Sequence, residues 1–184
     1  MATPSRRYTM KLYHGSKNKF EAFNFDNMRT NGTAAGVGLY FAENAEIARS
    51  YAVDGYLYTV DVDTTNAMSA EDLTVNRTQL IKIIKLMELD EFTEIVSNFG
   101  DESREPKAKI IKRAADELIE NNLNDVDLLA ELYNLTGGEG KTLEIFSEVT
   151  GMTYLEAPAY YHNDQKIIVV IDRKTITIEK IEAC

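Results

Sequence analysis

At 184 residues with 44% hydrophobic content, the chain is long enough to bury a core as one globular domain, and three prolines with ten glycines exclude collagen-like and low-complexity classes. A formal charge of −10 opposes nucleic-acid binding, which is driven by neutralising phosphates, although acidity of this size also serves solubility. The lone cysteine is Cys184 and the only histidines are His14 and His162, so no internal disulfide, thiolate cluster or all-histidine zinc site can form, and no metal is expected.

The first third, residues 8–66, mixes short strands with Gly and Asn turns. Lys11-Leu12-Tyr13 reads as a strand that ends on His14-Gly15-Ser16. A glycine directly after the histidine lets a ligand approach the backbone without meeting a Cβ, so the amide and carbonyl of Gly15 can pair with a planar carboxamide. The bland alternative is a strand-end histidine in a turn. Gly36 and Gly38 then lead into Leu39-Tyr40-Phe41, and Glu43 or Asn44 starts a short helix over about 45–52 that carries Ala45, Ala48 and Tyr51. Tyr40 and Tyr51 stand at the two ends of this strand-turn-helix unit, where their rings could wall a single slot. A flat ring such as nicotinamide would gain roughly 1–3 kcal/mol by stacking there; the competing reading is that both tyrosines pack a core. Residues 56–63, YLYTVDVD, alternate as a strand.

Residues 67–150 change character to Ala, Leu, Ile, Lys and Glu with apolar spacings of three and four. In 107–121, Ile110, Ile111, Ala114, Ala115, Leu118 and Ile119 form one face and Lys109, Lys112, Arg113, Asp116 and Glu120 the other, which predicts an amphipathic helix. Pro106 suits its first turn after the acidic Asp101-Glu102 loop. Asn124 suits the cap of a following helix that Gly137-Gly138 would end, and four or five helices fit the whole segment. The string GGEGKT at 137–142 ends like a phosphate loop, but that pattern needs a glycine where Leu135 stands, so helix-terminating glycines explain it better.

From Met152 the chain returns to strands, at 153–157, 166–172 and 175–181, with a Pro158 break and a His162-Asn163-Asp164 turn between the first two. The longest apolar run is the five residues 167–171, far below the roughly 20 that cross a bilayer. The opening MATPSRRYTM has no apolar stretch behind its arginines, so no secretory signal is expected. A cytoplasmic protein with no membrane partner follows. Strand-rich ends around a helical middle predict an α+β fold in which the first and last parts share one sheet.

LYHGS followed by a Phe, then G-x-G-L-Y-F-A, then a short helix ending in Tyr, resembles the ADP-ribosyltransferase superfamily. The likeness is to its His-Tyr-Glu branch, which includes poly(ADP-ribose) polymerases and small bacterial and phage mono-ADP-ribosyltransferases. The resemblance spans residues 11–63 and implies a single domain over 1–184, with a split mixed or antiparallel β core and a helical insertion at about 67–150. It implies NAD as co-substrate and a protein as the target of transfer. His14 matches the histidine that bonds the adenosine-side ribose, Gly15 the glycine that pairs with the carboxamide, and Ser16 an added hydroxyl contact. Tyr40 matches the tyrosine of the triad and Tyr51 the second ring of the nicotinamide slot, with Phe41 packing beneath them. Ala48 falls where many members carry a serine donor to the carboxamide.

The third catalytic position is ambiguous. The family glutamate opens a late strand before an apolar run, and Gln165 is the nearest formal match, Asp164 the nearest acid, and Glu156 the alternative one strand earlier. Asp164 also reads as a hairpin-turn residue and Glu156 as a solvated strand residue. A glutamine at this position would favour single transfer over chain elongation, or mean that activity is lost. The expected function is mono-ADP-ribosyl transfer from NAD to a macromolecule with release of nicotinamide, in a phage or bacterial effector acting in the host cytoplasm. Two competitors are a catalytically silent NAD- or ADP-ribose-binding module and an NAD glycohydrolase, which would use water as acceptor.

Overall fold

The computed structural model describes residues 8–26, 36–87, 106–158 and 166–184. They form two compact units, one from the segments 1–67 and 153–184 and the other from Met68–Met152.

The first unit is a six-stranded sheet. Its strands are β1 (Thr9–Ser16), β2 (Leu39–Ala42), β3 (Tyr56–Asp63), β4 (Tyr154–Pro158), β5 (Lys166–Val170) and β6 (Ile176–Ala183), in the order β4-β5-β2-β1-β3-β6. All neighbouring strands run antiparallel. The expected sharing of one sheet by the first and last parts of the chain is therefore observed: β2 pairs with β5, and β3 pairs with β6. Period-two alternation sorts the side chains. Leu12, Phe41, Tyr58, Val60, Val62, Tyr154, Ile168 and Val170 are buried on one face, each contributing roughly 1.5–3 kcal/mol. Ala42 and Leu57 face the other side, under Ile47 and Ala48 of helix α1 (Ala45–Ser50). Asn44 starts α1 by accepting a hydrogen bond from the Glu46 amide at 2.8 Å.

The chain leaves and re-enters this sheet at neighbouring points. Thr153 donates its amide to the Asn66 carbonyl at 2.9 Å, and Ala67 bridges Tyr154 in parallel. An excursion of 85 residues can begin and end here without breaking the ladder.

The second unit is helical, with α2 (Arg77–Leu86), α3 (Lys107–Asn121), α4 (Asp125–Leu135) and α5 (Gly140–Thr150) among the described residues. The amphipathic reading of α3 holds: Ile110, Ile111, Ala114, Ala115 and Leu118 are its buried positions. Pro106 stands at the N-cap, one place before the first turn, and the acidic 101–102 segment lies outside the described residues. Asn124 caps α4 through the Asp127 amide at 2.8 Å. Gly137 and Gly138 follow α4 at φ 66° and 82°, left-handed values that a side chain would strain, so they terminate the helix, and a helix rather than a strand leads into them.

One carboxylate organises the start of this unit. Asp125 is fully buried and accepts hydrogen bonds from the Thr74 amide at 2.7 Å, the Thr74 hydroxyl at 2.7 Å, the Val75 amide at 3.0 Å and the Ser69 amide at 3.2 Å. It thereby pins residues 69–75 to the first turn of α4. Removing the acceptor strands the buried Val75 amide, at about 1–3 kcal/mol, and leaves the part-buried Ser69 and Thr74 donors to add to that loss. Asp125→Ala should lower the unfolding free energy by about 3 kcal/mol or more, read by urea titration of the helical CD signal; a loss below about 1 kcal/mol would contradict this role.

Candidate active site

The end of β1 is built around a missing side chain. A Cβ on Gly15 would lie 1.9 Å from the Ala48 carbonyl oxygen and 3.1 Å from the Ala52 nitrogen, so the last turn of α1 rests directly on the strand backbone. The same Ala48 carbonyl accepts the Tyr51 amide at 3.1 Å, which places the start of Tyr51 beside Gly15. On the far side, a Cβ on Gly55 would meet the Ser16 carbonyl at 2.2 Å. Residues 15–16 are thus wedged between α1 and the turn that enters β3.

Pairing between β1 and β2 is confined to Tyr13 and Ala42. Continued register would set His14 opposite Phe41 and Gly15 opposite Tyr40, yet the ladder stops. The His14 side chain spans the interruption instead, with Nδ1–H donating to the Tyr40 carbonyl at 2.8 Å. A carbonyl only accepts, so Nδ1 carries the proton and Nε2 of the neutral ring is an acceptor. The imidazole is enclosed by Phe20, Phe23, Phe41 and Tyr58, with ring centroids 5.2–6.1 Å away. Burial among these rings pushes the His14 pKa below its ordinary 6.5, and the bond to Tyr40 offsets part of that shift.

The Tyr40 hydroxyl donates to the Gly36 carbonyl at 2.5 Å, fastening the turn to the strand it feeds. Gly38 in that turn has φ 154°, and a Cβ there would sit 2.7 Å from both Val169 Cγ1 and the Val170 carbonyl. Both glycines of the G-x-G element therefore have structural work: one supplies a phenol acceptor and the other allows the turn to press on β5. Tyr51 caps the C-terminus of α1 and is 59% exposed. The Ser16 hydroxyl oxygen accepts the Asn18 amide at 3.2 Å. Ala48 is buried and brings no side-chain donor.

Alternation divides the sequence-predicted residues between two faces. Gly15 and Tyr40 lie with Tyr13 and Ala42 on the side covered by α1. His14 lies on the opposite side with Phe41, Ile168 and Glu156, which occupy one cross-strand row. His14 and Tyr40 nevertheless meet, because the bond runs from side chain to backbone across the interrupted ladder. Glu156 is three strands along the row, roughly 14 Å at ~4.8 Å per strand. It is exposed on the outer strand β4 and pairs with Lys166 Nζ at 2.5 Å. Hydrogen bonding to Glu156 raises the Lys166 pKa, helped by its charge and that of Glu43. The other two candidates for the third position, Asp164 and Gln165, lie outside the described residues, as does the turn at 162–164. Among the described residues, no group of three or more His, Cys, Asp or Glu is placed to hold a metal ion, and no helix is long and apolar enough to cross a membrane.

Sequence reasoning missed Tyr58 and gave Phe20 and Phe23 no role at the histidine. A signal was present: Tyr58 alternates with Val60 and Val62 on the buried face, and a buried phenol needs a hydrogen-bond partner.

The antiparallel 4-5-2-1-3-6 sheet, opened beside a His-Gly strand end and a Gly-x-Gly-Leu-Tyr-Phe turn, is an ADP-ribosyltransferase fold. The chain belongs to the family described as ADP-ribosyltransferase in polyvalent proteins, which it matches over residues 8–176. Transferases of this class use NAD as co-substrate. A crystal structure of an anti-CRISPR protein is similar at 17% identity, covering 96% of this chain and 98% of that one with a TM-score of 0.38. No curated protein matches the sequence.

Two outcomes are expected from this geometry. Gly15→Ala should destabilise the sheet unit by about 2 kcal/mol or more, because the new methyl collides with backbone that cannot rotate away; a thermal midpoint equal to that of the parent would refute the close approach. His14 is neutral when folded, whereas its unfolded counterpart takes up a proton near pH 6.5. Stability from the neutral ring is therefore complete above about pH 6.5 and is lost as pH falls from there toward the depressed folded pKa. Urea midpoints should decline over that interval in the parent and less steeply in His14→Gln.

Proposed function

We propose that the protein transfers a single ADP-ribose from NAD to a protein target and releases nicotinamide. The observation that carries this reading is the interruption of the β1–β2 ladder after Tyr13 and Ala42, spanned by the His14–Tyr40 bond. In this reading backbone groups at Gly15 pair with the carboxamide, and the Tyr40 and Tyr51 rings flank nicotinamide. His14 Nε2 accepts a hydrogen bond from a ribose hydroxyl, and Ser16 adds its own hydroxyl.

Cleavage of the nicotinamide–ribose bond builds positive charge on the ribose carbon, so a nearby acceptor or carboxylate lowers the barrier. A nucleophile of the target forms its bond to that carbon as neutral nicotinamide leaves, and the proton of the nucleophile passes to a base. Glu156, Asp164 and Gln165 are the candidates for this position; with Gln165 there, transfer would stop at one unit. We place the helical unit Met68–Met152 as an insertion within a single transferase domain, where its charged helix faces select the target. An effector role in a phage or bacterial context, acting in host cytoplasm, fits this reading.

A second reading is a silent NAD- or ADP-ribose-binding module. It is favoured by one observation: Glu156, the described acid among the three, is held by Lys166.

Incubation with NAD labelled in its adenylate phosphate and a cell lysate should label a protein band. Tyr40→Ala should weaken NAD binding by about fivefold to 150-fold, from loss of roughly 1–3 kcal/mol of stacking. Single alanine substitutions of Glu156, Asp164 and Gln165 identify the third member as the one that lowers turnover while leaving NAD affinity intact. If none does, and no nicotinamide is released by the parent, the silent module is the correct reading; nicotinamide release without a labelled band indicates a glycohydrolase.

A further inference from the structure

Ten residues after His-Gly-Ser are fastened over the histidine by one phenol. Tyr58 is fully buried in β3, and its hydroxyl oxygen accepts the Phe20 amide at 2.6 Å. The hydroxyl proton is shared toward the carbonyls of Phe20 at 3.2 Å and Asn18 at 3.3 Å. Its ring stacks on Phe20 at 4.2 Å with an interplanar angle of 9°. Phe20 in turn meets Phe23 edge-on at 4.8 Å, and Phe23 meets His14 at 5.2 Å. Burial pushes the Tyr58 phenol pKa up, so it stays protonated and able to donate.

We infer that Tyr58 is a positioning residue for His14: its hydroxyl and ring latch loop 17–26 onto β3, and the latched Phe20 and Phe23 hold the imidazole against the Tyr40 carbonyl. Among the described residues, the rings packed on the imidazole are all aromatic. Tyr58 is the titratable group facing the ring from β3; the loop contributes Phe20 and Phe23, and β2 contributes Phe41. The displacement of the His14 pKa accordingly has two causes, burial and the Tyr40 carbonyl, with no charged neighbour contributing. An imidazole held this way presents Nε2 in one direction, which is what a hydroxyl-accepting group requires. Without the phenol hydroxyl, the Phe20 amide and carbonyl lose their common partner and the loop can lift, admitting water to the ring.

The ligand half of this inference rests on the NAD reading, whereas the latch itself does not, so two readouts are used. In Tyr58→Phe, which keeps the ring and removes the hydroxyl, the NMR titration midpoint of His14 should rise toward 6.5, and NAD should bind about fivefold more weakly or worse. Nicotinamide alone, which engages Gly15 and the tyrosine slot, should bind within about twofold of the parent. A purely structural tyrosine would lower the melting temperature and move neither His14 nor the NAD-to-nicotinamide ratio. If Tyr58→Phe does not fold, Phe20→Leu removes the stack while leaving the phenol, and the same two shifts are expected. A folded variant with parental His14 titration overturns the latch. A parent that binds no NAD overturns the ligand reading alone, and the titration then decides the latch.

Discussion

Helix α1 can lie on strand β1 because residue 15 has no side chain. The Ala48 carbonyl occupies the space that a Cβ would fill, at 1.9 Å from its ideal position. Everything around the candidate site inherits that approach. Tyr51 emerges beside the strand end because its amide bonds to the same carbonyl. Gly55 repeats the arrangement on the other side against Ser16, so the strand end is gripped from two directions by backbone, which does not adapt as side chains do.

With β1 held by its neighbours, the break between β1 and β2 becomes tolerable. Two strands that pair at Tyr13 and Ala42 would ordinarily continue to zip, since unpaired backbone groups are costly. Here eight pairs to β3 hold β1 on one side and four pairs to β5 hold β2 on the other, and His14 supplies a single bond across the opening. The histidine is thus a structural bridge across the opening. Its neutral state follows from the ring enclosure, since a cation among Phe20, Phe23 and Phe41 would be poorly solvated.

The helical unit solves a separate problem. Asp125 gathers donors from residues 69–75 into the start of α4, replacing solvent with a closed set of hydrogen bonds. Within the sheet unit, the Thr153–Asn66 bond and the Ala67–Tyr154 bridge join the two chain segments. Each unit has its own buried residues and polar staples, as a separately packed unit requires.

Local pattern in the sequence determined which segments became strands and helices. Period-two alternation in 56–63, the apolar face of 107–121, the Asn caps and the paired glycines after α4 all act over a few residues, and the structure reproduces them. The spaced set His14-Gly15, Gly36-x-Gly38-Leu39-Tyr40 and Tyr51 likewise sufficed for the superfamily, because each element needs a particular residue at a particular backbone conformation. What the tertiary structure decided was which face each residue took and what it touched. The register Tyr13 to Ala42 sends His14 and Tyr40 to opposite faces, and a one-residue slip between the two strands would have set them on the same face. Tyr58 became the partner of a loop nearly forty residues away, a contact that no local periodicity encodes. Glu156 acquired Lys166 across a strand pair for the same reason: cross-strand neighbours are chosen by register, and register is set by the whole sheet.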